Sequence, residues 1–182
     1  MTLCGERNDL EATLALLSSL GYDAVHLIGG SMGGAVVSTM DYTRLPMVQS
    51  LTLWFPVMDF GRMSADFFSP AHREEAMRTG AAEIHSLRNG TVYHLGRDLF
   101  EEVSGRQPEE YLQSVQLPKL FVHGTGDTIV PWEQSRDACA HCPNSELVLV
   151  KDGTHSFSGS QRELNEAIDA TLQFLLRVRA RI

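Results

Sequence analysis

Short apolar runs alternate along this chain with stretches whose apolar residues recur at helical spacing, and that alternation predicts its elements. Leu10, Leu14 and Leu17 fall on one face of a helix expected over 8–20, which Gly21 stops. Ala24-Val25-His26-Leu27-Ile28 then reads as a buried strand, followed by a helix from Gly34 to about Tyr42. Ser50-Leu51-Thr52-Leu53-Trp54-Phe55 reads as the next strand. Two later runs, Leu117 to His123 and Glu146 to Val150, are strands separated by a helix expected over 132–140. The last helix, about 161–178, carries Leu164, Ile168, Leu172 and Leu175 on one face. Its arginines lie near the C-terminus, where they complement the helix dipole. Strands alternating with helices predict an α/β domain, a mostly parallel sheet with helices on both faces.

The stretch 59–115 breaks this rhythm. It holds Phe67-Phe68-Ser69-Pro70, a charged helical piece over 72–78, and Asn89-Gly90 between two short β-prone runs. Asn-Gly in that setting predicts a hairpin. The stretch is therefore expected to be an insertion within a single domain spanning 1–182, with no internal repeat.

Composition narrows the class. A length of 182 residues with 43% hydrophobic content suffices for one substantial core. A net charge of −8 argues against a nucleic-acid partner, which calls for a basic face. No apolar run approaches the ~20 residues of a membrane span, and no signal-peptide pattern opens the chain, so a cytoplasmic address is expected. Three cysteines make no disulfide framework. Cys139-Ala140-His141-Cys142 lacks a second Cys/His pair, so neither a metal nor a redox role is expected. Ile28 stands where a dinucleotide fingerprint needs its first glycine, and no cofactor is expected.

The chemistry concentrates at three strand ends. Gly29-Gly30-Ser31-Met32-Gly33 places a serine where the first strand turns into a helix, the G-x-S-x-G arrangement of a nucleophile elbow. Gly29 and Gly33 are expected to be the positions where strand and helix cross too tightly for a side chain. Asp127 lies in the Gly-rich loop Gly124-Thr125-Gly126-Asp127 after the second of the three strands, and His155 in Gly153-Thr154-His155 after the third. A serine hydroxyl needs a base to take its proton, and a carboxylate to fix that base's tautomer. Ser31, Asp127 and His155 are the candidate catalytic residues, and the Met32 backbone N–H is the candidate oxyanion donor. Asp127 also reads as an ordinary turn residue. Asp152 is a competing acid that more readily shapes its own loop, and His123 a competing base that more readily braces the acid loop. His26 reads as a satisfied core histidine.

On these residues the chain resembles the serine α/β-hydrolases, in the manner of bacterial cinnamoyl/feruloyl-type esterases, monoacylglycerol lipases and prolyl-oligopeptidase-like hydrolases. Gly29 to Gly34, His123 to Asp127 with Val130-Pro131, and Gly153 to Phe157 carry the resemblance. It implies hydrolysis of a small-molecule carboxylic ester through an acyl-enzyme. It also implies that 59–115 is a lid, with Met58, Phe67, Phe68, Tyr93 and His94 as candidates to line the pocket. An amidase or peptidase with the same triad is the alternative. Complete members of the family carry several further strands, and a second oxyanion donor, ahead of the elbow, whereas thirty residues precede Ser31 here. The expectation is an N-terminally truncated hydrolase, with weak or no activity in these 182 residues. Its first strand would expose an edge that invites homo-oligomerisation, and a non-catalytic, partner-binding remnant is the rival reading.

Overall fold

The computed structural model describes residues 2–64, 69–85, 90–105 and 107–180. In chain order they form α1 (Leu3–Ser19), β1 (Val25–Gly30), α2 (Met32–Ser38) and β2 (Val48–Trp54). There follow α3 (Pro70–Thr79), β3 (Ala81–His85), β4 (Val92–Gly96), α4 (Arg97–Glu102) and α5 (Pro108–Leu112). The chain closes with β5 (Lys119–Gly124), α6 (Glu133–His141), β6 (Ser145–Val150) and α7 (Gln161–Arg179).

The main sheet has the order β1-β2-β5-β6 and every pairing is parallel. Alternation along β2 decides which helix covers which face. Leu51 and Leu53 point to one side, where with Phe121 they pack against Leu14 of α1, Val37 of α2, Leu112 of α5 and Ala138 of α6. The opposite side presents Leu120, Val122 and Val150 to Ala167, Phe174 and Val178 of α7. Trp54 reaches the same helix, its indole Nε1–H donating to Thr171 Oγ1 at 2.9 Å. The fold is thus the α/β layering that the pattern implies, with β1 and β6 at the edges. Ile28 of β1 is 53% exposed.

Two helix ends differ from expectation, each for a reason outside the local pattern. α1 begins at Leu3 rather than near residue 8, because Glu102 of the distant α4 accepts hydrogen bonds from Leu3 N (2.6 Å) and Cys4 N (3.1 Å). A carboxylate there satisfies orphan amides and complements the helix dipole. α2 stops at Ser38, where Ser38 and Thr39 hydroxyls donate back to Gly34 O and Val36 O. Such bonds compete with helix continuation. Tyr42, expected within that helix, opens a separate 3-10 turn and donates its hydroxyl to Val37 O at 2.6 Å.

The segment between β2 and β5 forms a second cluster. Phe60, Ile84, Leu95, Leu99, Phe100 and Val103 pack with Val36 of α2 and Val130 of the loop after β5. β3 and β4 pair antiparallel, as the hairpin signal implies, and residues 86–89 lie outside the described residues. At the opposite end of the sheet the fully buried Lys119 donates from Nζ to Val115 O, Leu117 O and Pro143 O at 2.6, 2.9 and 2.7 Å. Burial pushes this ammonium down to about 8, so it keeps its proton at neutral pH and ties together the loops that enter β5 and β6.

Candidate active site

Ser31 sits at the junction of β1 and α2 with φ 51° and ψ −119°. A non-glycine residue there is strained by about 1–3 kcal/mol and persists only where its surroundings over-determine it. They do: Ser31 N donates to Trp54 O at 3.0 Å, and Ser31 O accepts from Gly34 N and Val57 N at 3.0 and 3.1 Å. The close crossing of strand and helix requires two glycines, and one of them is not the expected one. A Cβ on Gly29 would lie 2.5 Å from Gly33 O, and a Cβ on Gly34 would lie 2.5 Å from Pro56 Cβ. A Cβ on Gly33 would meet nothing within 4 Å. The expectation for Gly33 is therefore corrected: Gly34 faces Pro56 while Gly33 faces open space.

The acid and base loops touch backbone to backbone. Thr125 N donates to Val150 O at 3.0 Å and Gly126 N to Gly153 O at 2.9 Å, so the β5–β6 pairing runs on into both loops. A Cβ on Gly124 would stand 2.1 Å from Gly153 O. The glycines of Gly124-Thr125-Gly126-Asp127 and Asp152-Gly153-Thr154-His155 thus bring the carboxylate and the imidazole within reach of each other.

The three expected side chains form one hydrogen-bonded line. Ser31 Oγ lies 3.1 Å from His155 Nε2, and His155 Nδ1 lies 2.7 Å from Asp127 Oδ2. Asp127 Oδ1 accepts from Ile129 N and Val130 N at 2.8 and 3.0 Å, and Oδ2 also faces His123 Nε2 at 3.2 Å. Burial acts to raise the Asp127 pKa. The hydrogen bonds from His123, His155 and Val130 outweigh it and hold the carboxyl well below its usual range. An ionised carboxylate only accepts, so His155 Nδ1 carries a proton toward it, and in the neutral ring Nε2 is the nitrogen that can accept from the Ser31 hydroxyl. The Met32 amide occupies the first position of α2, where a helix N–H has no intrahelical partner.

Residues outside the expected set hold this line in place. The Phe55 ring lies 4.8 Å from the His155 ring and is itself packed edge-on by Phe157 at 5.1 Å. Glu163 of α7 accepts from Thr154 N and Thr154 Oγ1 at 2.8 and 2.9 Å, clamping the residue before His155. Its carboxyl is lowered chiefly by the Thr154 backbone bond. Only Ser160-x-x-Glu163, a helix-start pattern, marked Glu163 in the sequence.

The other expected positions fall elsewhere. Met58 is fully buried in the core, its sulfur accepting from Ser38 Oγ at 3.9 Å, which corrects its assignment to a pocket wall. Tyr93 and His94 lie exposed on β4. Phe67 and Phe68 lie outside the described residues. Asp152 shapes the base loop, its N–H donating to Thr125 Oγ1. His26 pairs with Ser50 Oγ at 2.7 Å on the edge strand. Cys139 and Cys142 are free thiols, and burial pushes Cys142 up to about 11.

A strained serine after the first strand, with an acid and a histidine on the loops after two later parallel strands, defines the α/β-hydrolase class. The family model described as alpha/beta hydrolase fold matches residues 62–159, and the chain belongs to that family. Among curated relatives, RutD of Pseudomonas savastanoi pv. phaseolicola, named as a candidate carbamate hydrolase, is 28% identical over 170 residues, 79% of this chain and 65% of its own length. RutD of Stutzerimonas stutzeri is 27% identical over 82% of this chain and 66% of itself. The chain spans just under two thirds of the length of these relatives. Among solved structures, Est1E from Butyrivibrio proteoclasticus aligns with a TM-score of 0.73 at 20% identity, over 99% of this chain and 72% of its own. The monoacylglycerol lipase of Paleococcus ferrophilus aligns with 0.72 at 14%, over 96% and 75%. No helix among the described residues is long and apolar enough to cross a membrane.

Proposed function

We propose that this chain is a serine hydrolase that cleaves a small-molecule carboxylic ester through an acyl-enzyme, with Ser31, His155 and Asp127 in the catalytic roles. The observation that carries the reading is the continuous line from Ser31 Oγ through His155 to Asp127, at 3.1 and 2.7 Å, around a serine held at positive φ. Ser31 Oγ attacks the carbonyl carbon while its proton passes to His155 Nε2. The Met32 N–H faces the oxyanion that forms, and one such donor is worth about 10²–10³ in rate. Collapse breaks the ester C–O bond, and the leaving alkoxide takes the proton from His155 Nε2. Water then attacks the acyl carbon, gives its proton to His155, and releases acid and free Ser31. Asp127, ionised throughout, stabilises the imidazolium formed in each half.

Carbamates and amides share the acylation step, and the name of the RutD relatives favours including a carbamate in the substrate panel. The test is labelling of the chain with a fluorophosphonate, followed by turnover of p-nitrophenyl esters, an aryl carbamate and aminoacyl anilides. Labelling lost in both Ser31→Ala and His155→Ala supports the reading, and faster ester than anilide turnover supports the ester assignment. A folded chain that neither labels nor turns over any of them would refute it.

A further inference from the structure

Asp127 serves two histidines, and only one of them reaches Ser31. His123, at the end of β5 and fully buried, places Nε2 3.2 Å from Asp127 Oδ2 and 3.0 Å from Val130 O. Its Nδ1 lies 2.7 Å from Ser135 Oγ on α6. Val130 O is a carbonyl and only accepts, so His123 Nε2 must carry a proton. That proton is shared between Val130 O and Asp127 Oδ2. The Ser135 hydroxyl, for its part, can donate to a bare Nδ1.

We infer that His123 is a positioning residue of the proposed hydrolase, locked as the neutral Nε2–H tautomer by Ser135 and Val130, and that its hydrogen bond aims Asp127 Oδ2 at His155. The inference rests on the proposed function for its catalytic meaning, though not for the tautomer. With both backbone amides on Oδ1 and both imidazoles on Oδ2, Asp127 receives four donors, which sets the plane of its carboxylate. The distances rank the two histidines. The His155 bond is the shorter of the two, and the His123 proton is shared with Val130 O. His123 therefore acts as the brace, while His155, in line with Ser31, is the ring that gains charge during turnover.

The same hydrogen bond tempers Asp127. The bond from His123 is one of those that hold the Asp127 carboxyl below its usual range, so loss of His123 leaves that carboxylate with one donor fewer. Among the described residues, Asp127 is the ionisable group hydrogen-bonded to His123, and the acidic and basic side chains of α6 are Glu133, Arg136, Asp137 and His141. The base loop contributes Asp152, whose backbone N–H donates to Thr125 Oγ1, and α7 contributes Glu163, which accepts from Thr154. The α6 side supplies the uncharged Ser135, and the neighbouring positions on β2 and β6, Trp54, Leu147, Val148 and Leu149, are uncharged.

The test combines imidazole NMR on the ¹⁵N-histidine-labelled chain with the rate of fluorophosphonate labelling as a function of pH. His123 is expected to show a protonated Nε2 and a bare Nδ1 at neutral pH. An imidazolium or an Nδ1–H tautomer at His123 there overturns the assignment. His123→Phe is expected to slow labelling by about tenfold, the worth of one hydrogen bond to a charged group. It should also shift the acid limb of the pH–rate profile. Ser135→Ala, a change small enough to leave the fold intact, is expected to release the tautomer lock and slow labelling less. Unchanged rate and unchanged acid limb in both variants would overturn the positioning role. If the wild-type chain does not label, the proposed function fails, and the imidazole NMR of that chain still decides the His123 tautomer.

Discussion

Substituting alanine for Gly29 and, separately, for Gly33 tests the account of the elbow directly, since the two glycines are four residues apart and physically unlike. A Cβ on Gly29 would stand 2.5 Å from Gly33 O and 2.9 Å from Gly33 C, both backbone atoms. Restoring ordinary contact needs roughly 0.9 Å of separation. No side chain can rotate away to supply it, so α2 must move off β1 as a body. Ser31 lies between the two, and a displacement of about 1 Å in a reacting group costs about 10²-fold in rate. Overpacking of this kind destabilises by about 1–3 kcal/mol, a fall in Tm of roughly 3–10 °C for a domain of this size. Gly33→Ala meets nothing within 4 Å. It gains up to about 1 kcal/mol of helix propensity. The assays are thermal unfolding by circular dichroism and the rate of fluorophosphonate labelling. Gly29→Ala is expected to lose both stability and labelling, and Gly33→Ala to keep both. A Gly29→Ala chain that melts and labels like wild type, or a Gly33→Ala chain damaged as badly, would refute the reasoning.

Three further outcomes follow from the same contacts. Because the folded-state pKa of Asp127 is depressed, its contribution to stability is present above the unfolded carboxylate value of about 3.9 and is lost as pH falls below it. Urea unfolding between about pH 6 and pH 3 should therefore weaken the wild type more steeply than Asp127→Asn, and parallel curves would contradict the assignment. Lys119→Met leaves three half-buried carbonyls without their donor and should cost roughly 1–2 kcal/mol in urea midpoint analysis, with fluorophosphonate labelling at the far end of the sheet unaffected in the chain that remains folded. Glu163→Ala removes the acceptor for Thr154 N and its hydroxyl, and is expected to slow labelling by about tenfold with a smaller loss in Tm. A larger effect on Tm than on labelling would assign Glu163 to helix capping rather than to the base loop.

Much of the architecture was legible because periodicity is a local property. The run Leu51 to Trp54, broken only by Thr52, and the unbroken run Leu120 to Val122 suit strands buried on both faces, and the structure places both at the centre of the parallel sheet. The order of serine, acid and histidine was equally visible, since each sits in the loop immediately after a strand and chain order alone sets that relation. Element ends were less legible. α1 gains its first turn from Glu102, a residue nearly a hundred positions away, and no window of sequence around Thr2 contains that carboxylate.

The site divides along the same line. The residue types, the Gly-rich loops that permit close approach, and the alternation that gathers three strand ends on one side of the sheet are all set by order along the chain. Which glycine is sterically required is a property of the folded chain, because it depends on Pro56 lying over Gly34 while nothing lies over Gly33. The fold likewise decided that Met58 faces the core and that Glu163 clamps the base loop. It decided, too, that Asp127 accepts from two imidazoles rather than one. Hydrogen bonds and van der Waals contacts act over a few ångströms of space, and separation along the chain carries no measure of that distance until the sheet has folded.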